Sequence, residues 1–475
     1  MKTKLLVTNL LLCLAFTVAC NPEEASIVTE DDSEPVGDTD IPIDPSDDEP
    51  EERSGEFISD IFFVHSNRLV GIRDDFFEVD NEDVGEMGPP FLSISLPPST
   101  SGTDSSAPFV FRANTEEISN YTNLRLAVAS GSGAITVVGT DGIDSQNWDE
   151  LWTTQLPSEL NASPTIYGNG TSRTLLYADF SGTVHALNAD TGAVNWTFPN
   201  PQNSPYVANP LTVQEFNLVI AVSLDGRVYA LNAQNGNLVW SYDTGDLVFA
   251  KPYFHENSSD GIDSVVVATQ LGDVFRINVT NGDLLWNINL GPDRFSATQS
   301  QAIFSAPSSD GSPDGFFIAS ANRSVFRMDI ETGSITWENN IALEGFRSSI
   351  NTVDESQSFG IGFFGTLYRF TRSGSNSSEF QWTELQLPNA GEGGIVGSPV
   401  IVESGLTGYD SNRIYIKTAN TLYGIDQETY EVASQYVFSS SMGSSESSPV
   451  VIGTSTFDEG TRLFYPPNTD KDVQN

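Results

Sequence analysis

Three histidines and three acidic turns are the places where this 475-residue chain could hold a metal or move a proton. His65, His185 and His255 are far apart, and neither His65 nor His255 has a second ligand near it in sequence. Zinc needs three or four nitrogen or sulfur donors gathered at one point, so no zinc site is expected. His185 follows Val184 in a column that elsewhere holds Tyr229, Phe275, Phe326, Tyr368 and Tyr423, which gives it a packing role. The acidic turns run from Asp141 to Asp144, Asn257 to Asp263 and Asp310 to Gly315. Calcium loops alternate oxygen ligands around a glycine bend and end on a bidentate Glu. None of the three completes that pattern, and turn chemistry alone accounts for Asp-Gly and Asn-rich loops. The chain has no Gly-x-Ser-x-Gly, no P-loop and no dinucleotide fingerprint. With 64 acidic residues, paired carboxylates single out nothing. The expectation is no catalytic residue, no metal ligand and no cofactor.

Cysteine chemistry is confined to the first twenty residues, where Cys13 and Cys20 are the only thiols of the chain. Lys2 and Lys4 precede an apolar run from Leu5 to Val18, too short to span a membrane comfortably but suited to a secretory signal. Val18-Ala19-Cys20 resembles a bacterial lipobox, with Thr17 where Leu is usual. That resemblance implies removal of residues 1–20 and lipid attachment at Cys20. Asn21, rather than Asp, then favours the outer membrane. No free thiol remains and no disulfide can form, so stability must come from burial over a large fold.

Residues 21–55 hold fourteen acidic residues, one Arg and few large apolar side chains. Such a segment cannot bury enough surface to offset its chain entropy, and it reads as a disordered linker. As a flexible coil it would span roughly 30–35 Å, a stalk for a globular head. From residue 56 onward, 50 acids face 18 Lys and Arg, a balance opposed to nucleic-acid binding.

The head is a repeat. Ala186 to Trp196, Ala230 to Trp240, Arg276 to Trp286 and Arg327 to Trp337 are variants of one eleven-residue pattern. The tryptophans are 44, 46 and 51 residues apart, and Gly192, Gly236, Gly282 and Gly333 keep step. Each period divides into four short strands, as at 163–166, 174–178, 183–187 and 193–197, with glycine turns between them. This describes four-stranded propeller blades; no stretch sustains a helical period. Strand-opening positions at Pro108, Pro164, Pro210, Pro252, near Thr298 and Ser349, and at Pro399 and Pro449 predict eight blades. Third strands from Leu69 to Leu422 also number eight, but the two sets are offset. The last opening strand lacks successors and the first third strand lacks a predecessor. Ser448 to Ile452 is therefore expected to pair with the N-terminal strands around Ile61 to Ile72 and close the ring.

The eleven-residue pattern resembles the tryptophan-docking motif of the pyrroloquinoline-quinone-type (PQQ-type) propellers, Ala-x-Asp-x-x-Thr-Gly-x-x-x-Trp. The resemblance covers residues 56–475. It implies an all-β, eight-bladed propeller in which Trp196, Trp240, Trp286 and Trp337 dock on motif glycines and lock neighbouring blades. Glycine admits a ring against the peptide plane, and the indole N–H still requires an acceptor. The repeat ending at Trp382 lacks Thr-Gly, and the next has Tyr430 and Ser434 where Gly and Trp would stand.

Two branches of that family set the functional alternatives. Quinoprotein dehydrogenases carry adjacent cysteines and long catalytic insertions, and this chain has neither. The BamB lipoproteins of the outer-membrane barrel assembly machinery have a lipobox, a linker and eight bare blades, the layout seen here. The resemblance implies a lipid-anchored, non-enzymatic scaffold at the periplasmic face of the outer membrane, a monomeric propeller binding an envelope protein. The alternatives are a quinone-dependent dehydrogenase and a binder of surface polysaccharide.

Overall fold

The computed structural model describes residues 58–464, apart from single positions and connecting stretches. The longest of these stretches are 75–84, 99–105, 113–123, 141–147, 291–302, 306–314, 403–411 and 455–461. The expected signal peptide, Cys20 and the acidic linker lie outside the described residues. So do the turn at 141–144 and most of that at 310–315.

The described residues form eight antiparallel sheets arranged as the blades of a propeller, with one short 3-10 turn at Gln214–Phe216. Blade 3 comprises Thr165–Tyr167, Thr174–Ala178, Thr183–Asn188 and Val194–Pro199, within two residues of the expected strands. Blades 2 and 4 to 7 follow the same order, and their first strands approach one another around the centre of the ring. Adjacent blades share their cores. Ile220, Val228 and Trp240 of blade 4 pack with Val265, Val267 and Ile277 of blade 5. Leu176 and Val184 of blade 3 pack on the opposite face of blade 4, against Val219 and Tyr229. A blade buries both faces only between two neighbours, which is why the array must close.

Closure occurs as the strand offset predicts. Blade 1 takes its first strand, Val450–Thr454, from the C-terminal region and the others, Ile58–His65, Arg68–Arg73 and Leu92–Ser95, from the N-terminal region. Phe62 pairs with Val450 and Ile58 with Thr454. A further strand, Arg462–Phe464, pairs with Val451–Gly453 on the side away from Ile58–His65, the side that faces the centre in other blades.

The seam between blades 8 and 1 is held by a strap. Between the third and fourth strands of blade 1 the chain crosses to blade 8, and Gly85–Glu86 pairs in parallel with Ser434 and Gln435. Met87 enters the core beside Tyr415, Leu422 and Phe438. Asp74, also buried, accepts hydrogen bonds from Tyr415 Oη at 2.6 Å and Ser434 Oγ at 3.2 Å. Ser434 stands where other repeats have Trp, and a larger residue there could not coexist with this network.

Candidate functional site

Four indoles sit on glycines of the next blade. A Cβ added to Gly236 would lie 2.5 Å from Cε3 of Trp196, so only glycine, here at φ +74°, fits beneath the ring. Trp196 Nε1 donates to Ala233 O at 3.1 Å. Trp240 lies against Gly282 and donates to Val279 O, and Trp286 lies against Gly333 and donates to Ile330 O. Gly192 carries not Trp196 of its own repeat but Trp152 of the preceding one, whose Nε1 donates to Ala189 O.

Trp337 departs from the expected geometry. Among the described residues its ring partners are Phe317, Phe370 and Phe380, all edge-on, rather than a motif glycine. Its neighbour, blade 7, has lost the Thr-Gly pair, and aromatic side chains meet the indole instead.

Blade 7 differs for a reason of register. In blades 2 to 6 and 8 a bulge separates the third and fourth strands just beyond the motif position, so that Trp240, for example, pairs with Ala230 and faces the next blade. Blade 7 has no such shift; Trp382 pairs with Phe370, whose side chain belongs to the core shared with blade 6. One residue of slip moves a strand's side chains to the opposite face. Trp382 is 40% exposed, and Tyr430 of blade 8 reaches back into its place. Tyr430 Oη donates to Leu367 O at 2.7 Å, and Arg369 lies over the Tyr430 ring at 4.5 Å. Burial pushes the Tyr430 phenol well above its usual range.

The histidine column resolves into a polar contact. His185 is buried, with Nε2 2.8 Å from Asp179 Oδ2. Asp179 also accepts from Thr183 N and Ser181 Oγ. Burial alone would raise its pKa, but these hydrogen bonds outweigh it and hold the carboxyl below the usual range. His65 stacks on Phe438 at 4.1 Å, and His255 is buried in blade 5. Among the described residues no three His, Cys, Asp or Glu gather where they could hold a metal ion. In the turn at 257–263, Asp260 pairs with the buried Arg276 at 2.7 Å.

A candidate contact face comes from the turns between second and third strands. In blades 3, 4, 5 and 7 the connection arriving from the preceding blade clasps this turn. Glu159, Pro205, Leu247 and Gly345 offer carbonyls to the N–H groups of Phe180, Leu224, Gln270 and Phe363. In blades 5 and 7 a carboxylate adds a second clasp. Asp246 Oδ2 accepts from Leu271 N at 2.5 Å. The buried Glu344 accepts from Phe364 N and, at 2.7 Å, from Thr366 N. These two turns present exposed apolar tips: Leu271 is 58% and Phe364 55% exposed. Phe363 meets Phe364 edge-on at 5.1 Å, giving blade 7 a rigid aromatic knob. Sequence reasoning did not single out Leu271, Phe364, Asp246 or Glu344. The available signal was Phe363-Phe364 before Gly365, where the turns of blades 3 to 5 have at most one aromatic residue.

Residues 142–355 match the family described as outer membrane protein assembly factor BamB. No curated protein matches the sequence. Among solved structures, BamB from Moraxella catarrhalis is 16% identical, with a TM-score of 0.53, over 74% of this chain and 97% of that one. Sqt1 of Saccharomyces cerevisiae is 12% identical, TM-score 0.53, over 77% and 94%. The computationally designed protein Ika8 is 15% identical, TM-score 0.51, over 76% and 98%. At such identities these likenesses concern the fold, and the repeat match adds the type of propeller. In repeat and in fold, this chain is a BamB-like PQQ-type β-propeller.

Proposed function

We propose that the protein is a lipid-anchored, non-enzymatic scaffold that binds an envelope protein at the outer membrane. The observation that carries this reading is the match of the central repeats to the BamB family. The rigid apolar tips Phe364 and Leu271 supply what a protein contact needs, an exposed anchor that loses little entropy on binding. Cys20 is the proposed attachment point and residues 21–55 the stalk. The inner edge of Val450–Thr454 is taken by the chain's own Arg462–Phe464, which favours loops over the central channel as the working surface.

Affinity capture from detergent-solubilised envelopes tests the reading. Wild type is expected to retain an envelope protein that Phe364→Asp loses while its melting temperature is unchanged. Recovery of none above background in repeated captures would overturn it. Adding the quinone with calcium is expected to leave the melting temperature unmoved; a saturable rise would favour channel chemistry instead.

A further inference from the structure

Blade 7 has the one long fourth strand whose outer side is left flat and uncovered among the described residues. Outer edges invite pairing with another chain, and proteins blunt them with bulges, by keeping them short or by covering them. Blades 2 to 6 have the bulge, and blade 1 ends on the four residues Leu92–Ser95. Blade 8 has both a bulge and the strap Gly85–Glu86 along its edge. Phe380–Gln386 of blade 7 has none of these: it pairs with Thr366–Arg372 in unbroken register over its seven residues and ends its sheet. Gln381, Trp382, Thr383 and Glu384 are all exposed.

The edge also leads to the aromatic knob. Trp382, Glu384 and Gln386 alternate onto one face of the strand, over roughly 13 Å. Trp382 Nε1 donates to Glu384 Oε1 at 3.3 Å, and Gln386 Nε2 donates to Phe364 O at 3.4 Å. Blade 8 shows how such an edge is filled in this fold. There Gly85 and Glu86 run parallel to Ser434 and Gln435, and Met87 N donates to Gln435 O at 2.9 Å.

Resting on the reading of Phe364 as a protein contact, we propose that an extended segment of the partner protein adds as a further strand to Phe380–Gln386. It lays an apolar side chain on Trp382, sets a Lys or Arg beside Glu384 and ends against Phe364. Main-chain pairing supplies the affinity and alternate side chains the selectivity. A net charge of −43 favours a basic strand over a second copy of this chain.

The probe is a capped, fluorescently labelled peptide, Thr-Val-Thr-Lys-Thr-Val-Thr, titrated into the full propeller and followed by anisotropy. Its pattern reads the same in either strand direction. Saturable binding is expected. Trp382→Ala should weaken it roughly tenfold, as loss of an interface anchor does, with the fold intact. Glu384→Lys should weaken it a few-fold, the size of an exposed charge pair, and prefer the peptide with Glu in place of Lys. A strand edge bonds to every second residue of its partner. Of two peptides N-methylated on alternate residues, one should therefore lose binding and the other keep it. Absence of saturable binding overturns the proposal, as does equal binding of the two methylated peptides, the mark of an apolar patch. Dimerisation of the propeller that Trp382→Ala abolishes in sedimentation would give the edge to a second copy and overturn the partner assignment. If envelope capture depends on Phe364 but the peptide does not bind, the scaffold stands and strand addition falls. If the peptide binds with the methylation signature and no envelope protein is captured, the edge stands and the scaffold falls.

Discussion

Trp240 and Trp382 occupy the same place in their repeats, yet one is 8% and the other 40% exposed. Trp240 fills a seam, covers Gly282 and has its N–H satisfied, so Trp240→Ala should cost about 3–5 kcal/mol in chemical denaturation. Trp382→Ala should cost about 1 kcal/mol or less, as for ordinary surface positions. Tyr430→Phe leaves the ring in place but removes the donor to Leu367 O, and a loss of about 1 kcal/mol is expected. Asp179 offers a test by pH. Its folded pKa is depressed, so its contribution is complete above the ordinary carboxylate range and fades as pH falls through the folded value. The gap in urea midpoint between wild type and Asp179→Asn should be widest near neutrality and shrink under acid.

Blades are the next level, and each is stable only through its neighbours. The strand Val450–Thr454 supplies the first strand of blade 1 and covers the edge of Ile58–His65. A chain ending at Ser447 should lose cooperative melting and aggregate through the opened edge, as size-exclusion chromatography and circular dichroism would show. A chain ending at Thr454 keeps that pairing and should melt as one unit. The strap at Gly85–Glu86 acts from the other side of the seam, where Asp74 and Met87 replace a docked indole. Asp74→Ala leaves Tyr415 Oη without its acceptor inside the core, which costs about 1–3 kcal/mol.

For the molecule as a whole, the ring is a rigid platform and its loops carry the variation. The same clasp recurs in blades 3, 4, 5 and 7, yet only blades 5 and 7 add a carboxylate and expose an apolar tip. Glu344→Gln retains one acceptor oxygen, whereas Glu344→Ala retains none. Partner capture should therefore fall more with Ala than with Gln if the rigidity of the knob matters to binding. Capture assays with the two variants side by side measure it; equal capture by both would separate the knob from the partner surface.

The eleven-residue period, the eight blades and the closure of the ring were legible in the sequence because each rests on local patterning. Glycine turns, strand-opening prolines and alternating apolar residues recur at fixed spacing and require no knowledge of distant contacts. The chemistry of the seams was not legible, because it joins residues far apart along the chain. Whether a fourth strand bulges decides which face Trp382 occupies, and that register depends on pairing with Phe370 and on what blade 8 offers in return. Tyr430 and Ser434 read as losses from the motif, whereas in three dimensions Tyr430 fills the preceding seam and Ser434 meets Asp74, 360 residues away. Local spacing determined the architecture, and only the packing of one blade on another decided which side chains are locked and which are left to act.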